Sequence, residues 1–283
     1  MNVSPRNLRA QNAQQTLDII EKGFYEINNQ TISLAEPLKA SLANTTLYTP
    51  DRFALVSTQA EALLANRKIK THIRIQNTTT MAAAQALVDE QTRLGCLNFA
   101  SAKNPGGGFL AGAQAQEESL ARASTLYPTQ MKYFSEMYEY NRGQKTYLYS
   151  DHMIFSPDVV FFKDDQDALL EHPYQMDVLT SPAVNIGAMK QNRPQELTQA
   201  REVMMARLDK ILSVFVIQGV ENLVLGAWGC GVFQNDPEDV ADYFAHYLTG
   251  NGKYAQYFNK ITFAVLARGK ETKNFEAFES AFQ

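Results

Sequence analysis

The chain has 283 residues, enough for one large domain with an accessory layer, and its 45% apolar and 20% charged residues are ordinary for a soluble globular protein. A formal net charge of −4 excludes a global basic field, so no direct sequence-specific contact with nucleic acid is expected. An anionic ligand must then be held by local devices such as backbone amides and helix ends. Two cysteines, Cys96 and Cys230, are too few for a disulfide framework, and the four histidines show no HxH or HxxxH spacing, so no metal centre and no organic cofactor is implied.

The start, Met1-Asn2-Val3-Ser4-Pro5-Arg6, lacks the apolar stretch of a signal peptide, and apolar runs such as 211–217 are far too short to span a bilayer. The expectation is a soluble, cytoplasmic protein with no membrane partner. Ser4-Pro5 reads as a cap followed by proline at the first helical position, and Leu8, Leu17, Ile20 and Phe24 recur at roughly helical spacing. Glu36-Pro37 and Thr49-Pro50 mark further short helices, and a break falls near Asn66-Arg67-Lys68. Residues 1–68 are therefore expected to form a helical extension packed on a catalytic domain of residues 69–283.

Beyond the break, Thr71-His72-Ile73-Arg74-Ile75 alternates like a strand, 79–90 looks like an alanine-rich helix, and Leu94-Gly95-Cys96-Leu97-Asn98-Phe99 reads as a buried strand. Strands follow at 153–155, 159–162 and 177–179, then a long helix over 196–212, a strand at 223–225, a helix at 237–248, a strand at 261–266 and a closing helix at 275–282. Strands alternating with helices predict an α/β sheet with helices on both faces, and ligands of such sheets sit beyond the strand ends.

Two loops in that position are rich in glycine. The first runs Ala102-Lys103-Asn104-Pro105-Gly106-Gly107-Gly108 and leads to Gln116-Glu117-Glu118 at a helix start. Three glycines let backbone amides approach a ligand, although alone they equally fit a flexible turn. An isolated Glu-Glu pair would usually be helix-start acids; beside a glycine cradle it becomes a candidate for chemistry. The second loop, Gly226-Ala227-Trp228-Gly229-Cys230-Gly231-Val232-Phe233, ends where Asn235 or Asp236 caps a helix and Pro237 begins it. It is a cradle for a phosphate that needs no lysine or arginine. Cys230 has no histidine nearby in sequence and reads as a small residue at a tight turn rather than a nucleophile.

GGG, seven residues, then QEE resembles the signature of poly(ADP-ribose) glycohydrolases. The flanks Asn98-Phe99-Ala100-Ser101-Ala102-Lys103-Asn104-Pro105, Ser119-Leu120-Ala121-Arg122 and Ser124-Thr125-Leu126-Tyr127-Pro128 are similar to the bacterial branch, as is the Gly-Ala-Trp-Gly-Cys-Gly-Val-Phe string. The resemblance covers about residues 70–283. It implies a three-layer α/β/α macrodomain-like mixed sheet with a helical N-terminal extension, whose substrate is an ADP-ribose polymer or an ADP-ribosylated macromolecule. It also implies that Glu118 is the general acid, then the base that activates water; that Glu117 holds the leaving ribose; that Gln116 orients the glutamates; and that Phe233 packs against the terminal ribose. Gly106, Gly107, Gly108, Gly229, Cys230, Gly231 and Val232 complete the expected binding set.

Adjacent helical residues diverge by about 100°, so Glu117 and Glu118 cannot easily flank one bond as a symmetric glycosidase pair. Unequal roles follow. Asn98 and Asn104 are candidates for ribose hydroxyls, or equally strand-end and turn residues. The expected activity is hydrolysis of ribose–ribose O-glycosidic bonds, mainly from the chain end, releasing ADP-ribose. A reader module would use the same loops without needing Glu118, and a hydrolase of mono-ADP-ribose on protein or nucleic acid would differ only in its pocket walls. The sequence leaves the oligomeric state open.

Overall fold

The computed structural model describes residues 4–88, 91–267, 269 and 271–283. Helix α1 (Pro5–Lys22) starts as its sequence dictates, with the Asn7 amide donating to the Ser4 hydroxyl at 3.3 Å and Pro5 in the first turn. A hairpin of β1 (Phe24–Ile27) and β2 (Gln30–Ser33) follows, then α2 (Ala35–Asn44), β3 (Thr46–Tyr48) and α3 (Phe53–Asn66). The first 68 residues are thus not helical throughout. Three strands lie among them, each of three or four residues, too short for alternation to show in the sequence.

The remainder contains β4 (His72–Gln76), α4 (Thr80–Gln85), β5 (Leu94–Phe99), α5 (Gln116–Ala123), α6 (Leu126–Met131), α7 (Tyr140–Gly143), β6 (Met153–Lys163), β7 (Leu169–Ser181), α8 (Ile186–Asn192), α9 (Leu197–Ile217), β8 (Asn222–Leu225), α10 (Pro237–Leu248), β9 (Lys260–Ala264) and α11 (Lys273–Ala281). The helix expected over 79–90 ends at Gln85, and positions 89 and 90 lie outside the described residues. The strands expected at 153–155 and 159–162 are one strand, β6, whose register shifts between Ser156 and Val159, around Pro157. The strand expected at 177–179 is the end of the 13-residue β7, whose first half carries Glu171, His172 and Pro173 and so hides its alternation.

Seven strands form one mixed sheet in the order β3-β6-β7-β5-β8-β9-β4. The pairs β3–β6 and β6–β7 are antiparallel, and the pairs from β7 across to β4 are parallel. One face buries residues of α3, α9, α10 and α11 against Leu97, Leu223, Leu225, Ile261 and Phe263. The other buries Met81, Ala84, Leu120, Ala123 and Leu126 against Cys96, Val178 and Val224. This is the three-layer α/β/α sandwich. No helix among the described residues is long and apolar enough to cross a membrane.

Two features place the functional loops. Strands β5 and β8 are parallel neighbours, so the loops that leave their C-terminal ends emerge side by side at one sheet edge. Helix α1 fastens the first of these loops: Arg6 Nε donates to Ala111 O at 3.0 Å and Arg9 Nε to Gly112 O at 2.9 Å.

Candidate active site

Both glycine loops line a single cavity of about 780 Å³. Its walls include Asn104, Gly107, Gly108 and residues 114–120 from the first loop, and residues 227–229 and 231–233 from the second. Thr78, Thr79, Asp165, Gln166, Leu266, Glu271 and Asn274 close the other end. None of these seven was expected as a site residue from the sequence, because they come from four separated segments that meet only in the fold.

The three motif residues on α5 have different surroundings. Gln116 faces the sheet: its Oε1 accepts from the Phe99 amide at 2.8 Å, and its Nε2 donates to Leu97 O at 2.8 Å and Thr80 Oγ1 at 3.3 Å. It fastens the N-terminus of α5 to the end of β5. Glu117 is buried at 3% exposure. Its Oε1 accepts from Asn98 Nδ2 at 3.2 Å and Gln130 Nε2 at 3.1 Å, and its Oε2 from the Ser101 amide at 2.6 Å. Burial, opposed by these hydrogen bonds and reinforced by the neighbouring Glu118, raises its pKa to about 8. No cation offsets the desolvation, so the neutral acid is the favoured form near pH 7. Glu118 is half-buried and accepts from the Gly108 amide at 2.9 Å through Oε1.

Glycine is required where the loop passes these carboxylates. Gly107 has φ +60°, and a Cβ there would lie 2.3 Å from Glu118 Oε1 and 3.2 Å from Glu117 Oε2. Gly106 has φ +66°, with Phe109 beneath it.

The strand alternation decides the position of Asn98. It lies on the same face as Leu94 and Cys96, toward α5, and is fully buried. Its Nδ2 is shared between Glu117 and Thr180 Oγ1, the latter at 3.2 Å. Asn98 therefore supports Glu117 from behind rather than lining the cavity, which corrects its reading as a ribose ligand. Asn104 is exposed and does line the cavity, with its Oδ1 accepting from Arg142 at 3.0 Å.

In the second loop Trp228 is buried, its Nε1 donating to Ser181 O at 3.0 Å. Gly229 has φ +79°, and a Cβ would meet Ala183 Cβ at 2.5 Å and Asn235 Nδ2 at 2.6 Å. Of the two cap candidates, Asp236 caps α10, accepting from the Glu238 amide at 3.0 Å. Asn235 instead closes the loop, donating from Nδ2 to Val184 O at 2.8 Å and Gly229 O at 3.0 Å. The amides of Gly231, Val232 and Phe233 have no acceptor among the described residues. Val232 is 82% exposed, and Phe233 packs on Tyr149 with ring centroids 5.9 Å apart. Cys230 does not line the cavity; burial pushes its thiol up to about 12, which removes thiolate chemistry near neutral pH. Among the described residues no three His, Cys, Asp or Glu side chains gather to hold a metal.

Sequence reasoning missed Gln130, Thr180, Asn235 and Tyr149 as supports. Ser101 was in a quoted flank, but its contribution is a backbone amide, which side-chain identity does not reveal.

A three-layer mixed sheet with free backbone amides and a helix-start carboxyl group lining one cavity is the layout of the macrodomain-like class. The model of the family "Microbial-type PARG, catalytic domain" matches residues 13–164. The chain is 38% identical to the poly(ADP-ribose) glycohydrolase of Thermomonospora curvata, solved with the inhibitor ADP-HPD, over 98% of this chain and 100% of that one, with a TM-score of 0.87. It is 41% identical to the Deinococcus radiodurans poly(ADP-ribose) glycohydrolase in complex with ADP-ribose, over 87% and 97% of the two chains, with a TM-score of 0.80. No curated protein matches significantly. The chain belongs to the microbial-type poly(ADP-ribose) glycohydrolase family, a family of glycosidases.

Proposed function

We propose that Glu118 is the catalytic carboxyl group of a poly(ADP-ribose) glycohydrolase that acts mainly at the chain end. One observation carries the assignment: Glu118 is the half-buried member of the pair, its Oε1 accepting from the Gly108 amide, whereas the buried Glu117 uses both oxygens on hydrogen-bond donors. Glu118 protonates the departing ribose oxygen, and water activated by the resulting carboxylate then attacks the oxocarbenium-like sugar. Glu117, neutral and fixed, sets the position of Glu118 and contributes to the cavity wall against the leaving ribose. Gln116 keeps the start of α5 against β5.

The second loop takes the diphosphate. Gly229 shapes the turn, and the amides of Gly231, Val232 and Phe233 offer N–H groups to phosphate oxygens. The Phe233 ring, backed by Tyr149, packs on the terminal ribose. Cys230 serves through its backbone. Asn104 meets a ribose hydroxyl at the cavity rim. Residues 1–68 are continuous with the catalytic domain, since β3 joins its sheet and α3 its core, and the chain-end mode rests on the closed far wall of the cavity. Two unpaired cysteines support a reducing, cytoplasmic setting.

The test is Glu118→Gln. ADP-ribose binding measured by calorimetry stays within a few-fold of wild type, while ADP-ribose release from the polymer falls by about 10²–10⁴-fold. Wild-type turnover in that variant refutes the assignment. Products from oligomers of defined length test the direction, since abundant internal fragments contradict a chain-end mode.

A further inference from the structure

Two cations flank Asn104, a residue of the cavity wall, and the chemistry above uses neither. Arg142 donates from Nε to Lys103 O at 2.7 Å and from its terminal nitrogen to Asn104 Oδ1 at 3.0 Å, and its guanidinium lies 5.0 Å from the Phe134 ring centre. The side chain is exposed yet held at three points. Lys103 Nζ lies 5.7 Å from the centre of the Tyr147 ring and 6.0 Å from that of Tyr149, the ring that backs Phe233. Among the described residues neither cation has an ion-pair partner. The rim also connects directly to the catalytic loop: Asn104 O accepts from the Gly107 amide at 3.0 Å, and Gly107 abuts Glu118.

We infer that Lys103, Arg142, Tyr147 and Tyr149 form a binding surface for the leaving side of the substrate, specific for a diphosphate-bearing nucleotide unit. The inference rests on the proposed polymer hydrolysis. Once the terminal unit occupies the cavity, the next unit lies outside it and carries two phosphate charges and an adenine. A fixed guanidinium and an ammonium complement the diphosphate. The Tyr147 and Tyr149 rings hold the Lys103 ammonium in place beside the rim. This surface favours a leaving group that is itself a nucleotide over one that is neutral, and it does so at an exposed rim, where the attraction falls with salt.

The experiment compares wild type, Lys103→Gln and Lys103→Gln/Arg142→Gln on two substrates: an ADP-ribose oligomer and an aryl glycoside of ADP-ribose with an uncharged leaving group. At low salt KM for the oligomer rises by about three- to tenfold in the double variant, and by less in Lys103→Gln, as expected for exposed charge contacts. In Lys103→Gln, activity on the aryl glycoside and affinity for free ADP-ribose stay within about twofold; in the double variant the lost hold on Asn104 lowers activity on both substrates alike, and the readout is the additional loss on the oligomer. High salt erases that additional loss. Equal losses on both substrates, or no loss on the oligomer, overturn the inference. So does a larger loss on a mono-ADP-ribosylated acidic peptide than on the oligomer, since the surface would then recognise protein carboxylates. A wild-type protein that cleaves neither substrate refutes the proposed activity instead, which keeps the two failures apart.

Discussion

The two glycine loops look alike in sequence and are built differently. The first, residues 106–118, bends around side chains: its glycines leave room for the Glu117 and Glu118 carboxyl groups, and the buried amides of Asn98 and Gln130 stand behind Glu117. The second, residues 226–233, offers backbone N–H groups and the Phe233 ring, and is closed by Asn235. Loop chemistry is therefore set by what packs behind the glycines. Damage to the first loop should appear in turnover and damage to the second in affinity.

Beyond Glu118→Gln, the largest expected effect is that of Gly107→Ala. The left-handed φ costs about 1–2 kcal/mol, and the new methyl group would lie 2.3 Å from Glu118 Oε1. Displacing a catalytic group by about 1 Å costs on the order of 100-fold, so kcat should fall by about that factor with a modest loss of thermal stability. A preserved kcat would mean that Glu118 adapts and the loop is no precise support.

Gly229→Ala comes next and should invert the pattern. Its Cβ would press on Ala183 and Asn235 and tilt the amides that follow. ADP-ribose affinity by calorimetry should weaken by about tenfold, the scale of one lost charge-assisted hydrogen bond. Turnover at saturating substrate should change less. A fall in kcat with intact affinity would erase the contrast between the loops.

Glu117→Gln sharpens the comparison within the first loop. The folded state raises the pKa of Glu117 from 4.5 to about 8. The fold thus binds a proton that the unfolded chain releases over that window. The associated stability is fully present below about pH 4.5 and is lost as pH rises through about 8. The glutamine variant lacks this loss, so its melting temperature, compared with wild type, should gain progressively between pH 5 and 9. The amide fits because Asn98 Oδ1 and Gln130 Oε1 are buried acceptors without partners, and rotating either amide presents one to the new NH2 group. Parallel stability curves would show that Glu117 ionises freely. Cys230→Ala should have the smallest effect, within about twofold in kcat/KM, because its thiol neither lines the cavity nor ionises near pH 7.

Much of this site was legible because its signals are local. Glycine at a left-handed φ, proline after a cap and carboxylates at a helix start are fixed by neighbours in the chain. Asn98 was legible as a polar residue in a buried strand, but not in its role. Its hydrogen bonds go to Glu117 and Thr180, 19 and 82 residues away. The same holds for Arg142, whose hold on Asn104 spans 38 residues.

The sequence by itself determined the layered α/β class, the two glycine loops and the Gln116-Glu117-Glu118 motif, since each rests on patterns within a dozen residues. Only the tertiary structure decided that the loops share one cavity, because that follows from β5 and β8 being parallel neighbours. It also decided which glutamate is buried and which is half-buried, because burial depends on α6 and the β5 face meeting around Glu117. The adjacent pair that looked alike in the chain is unequal for that reason.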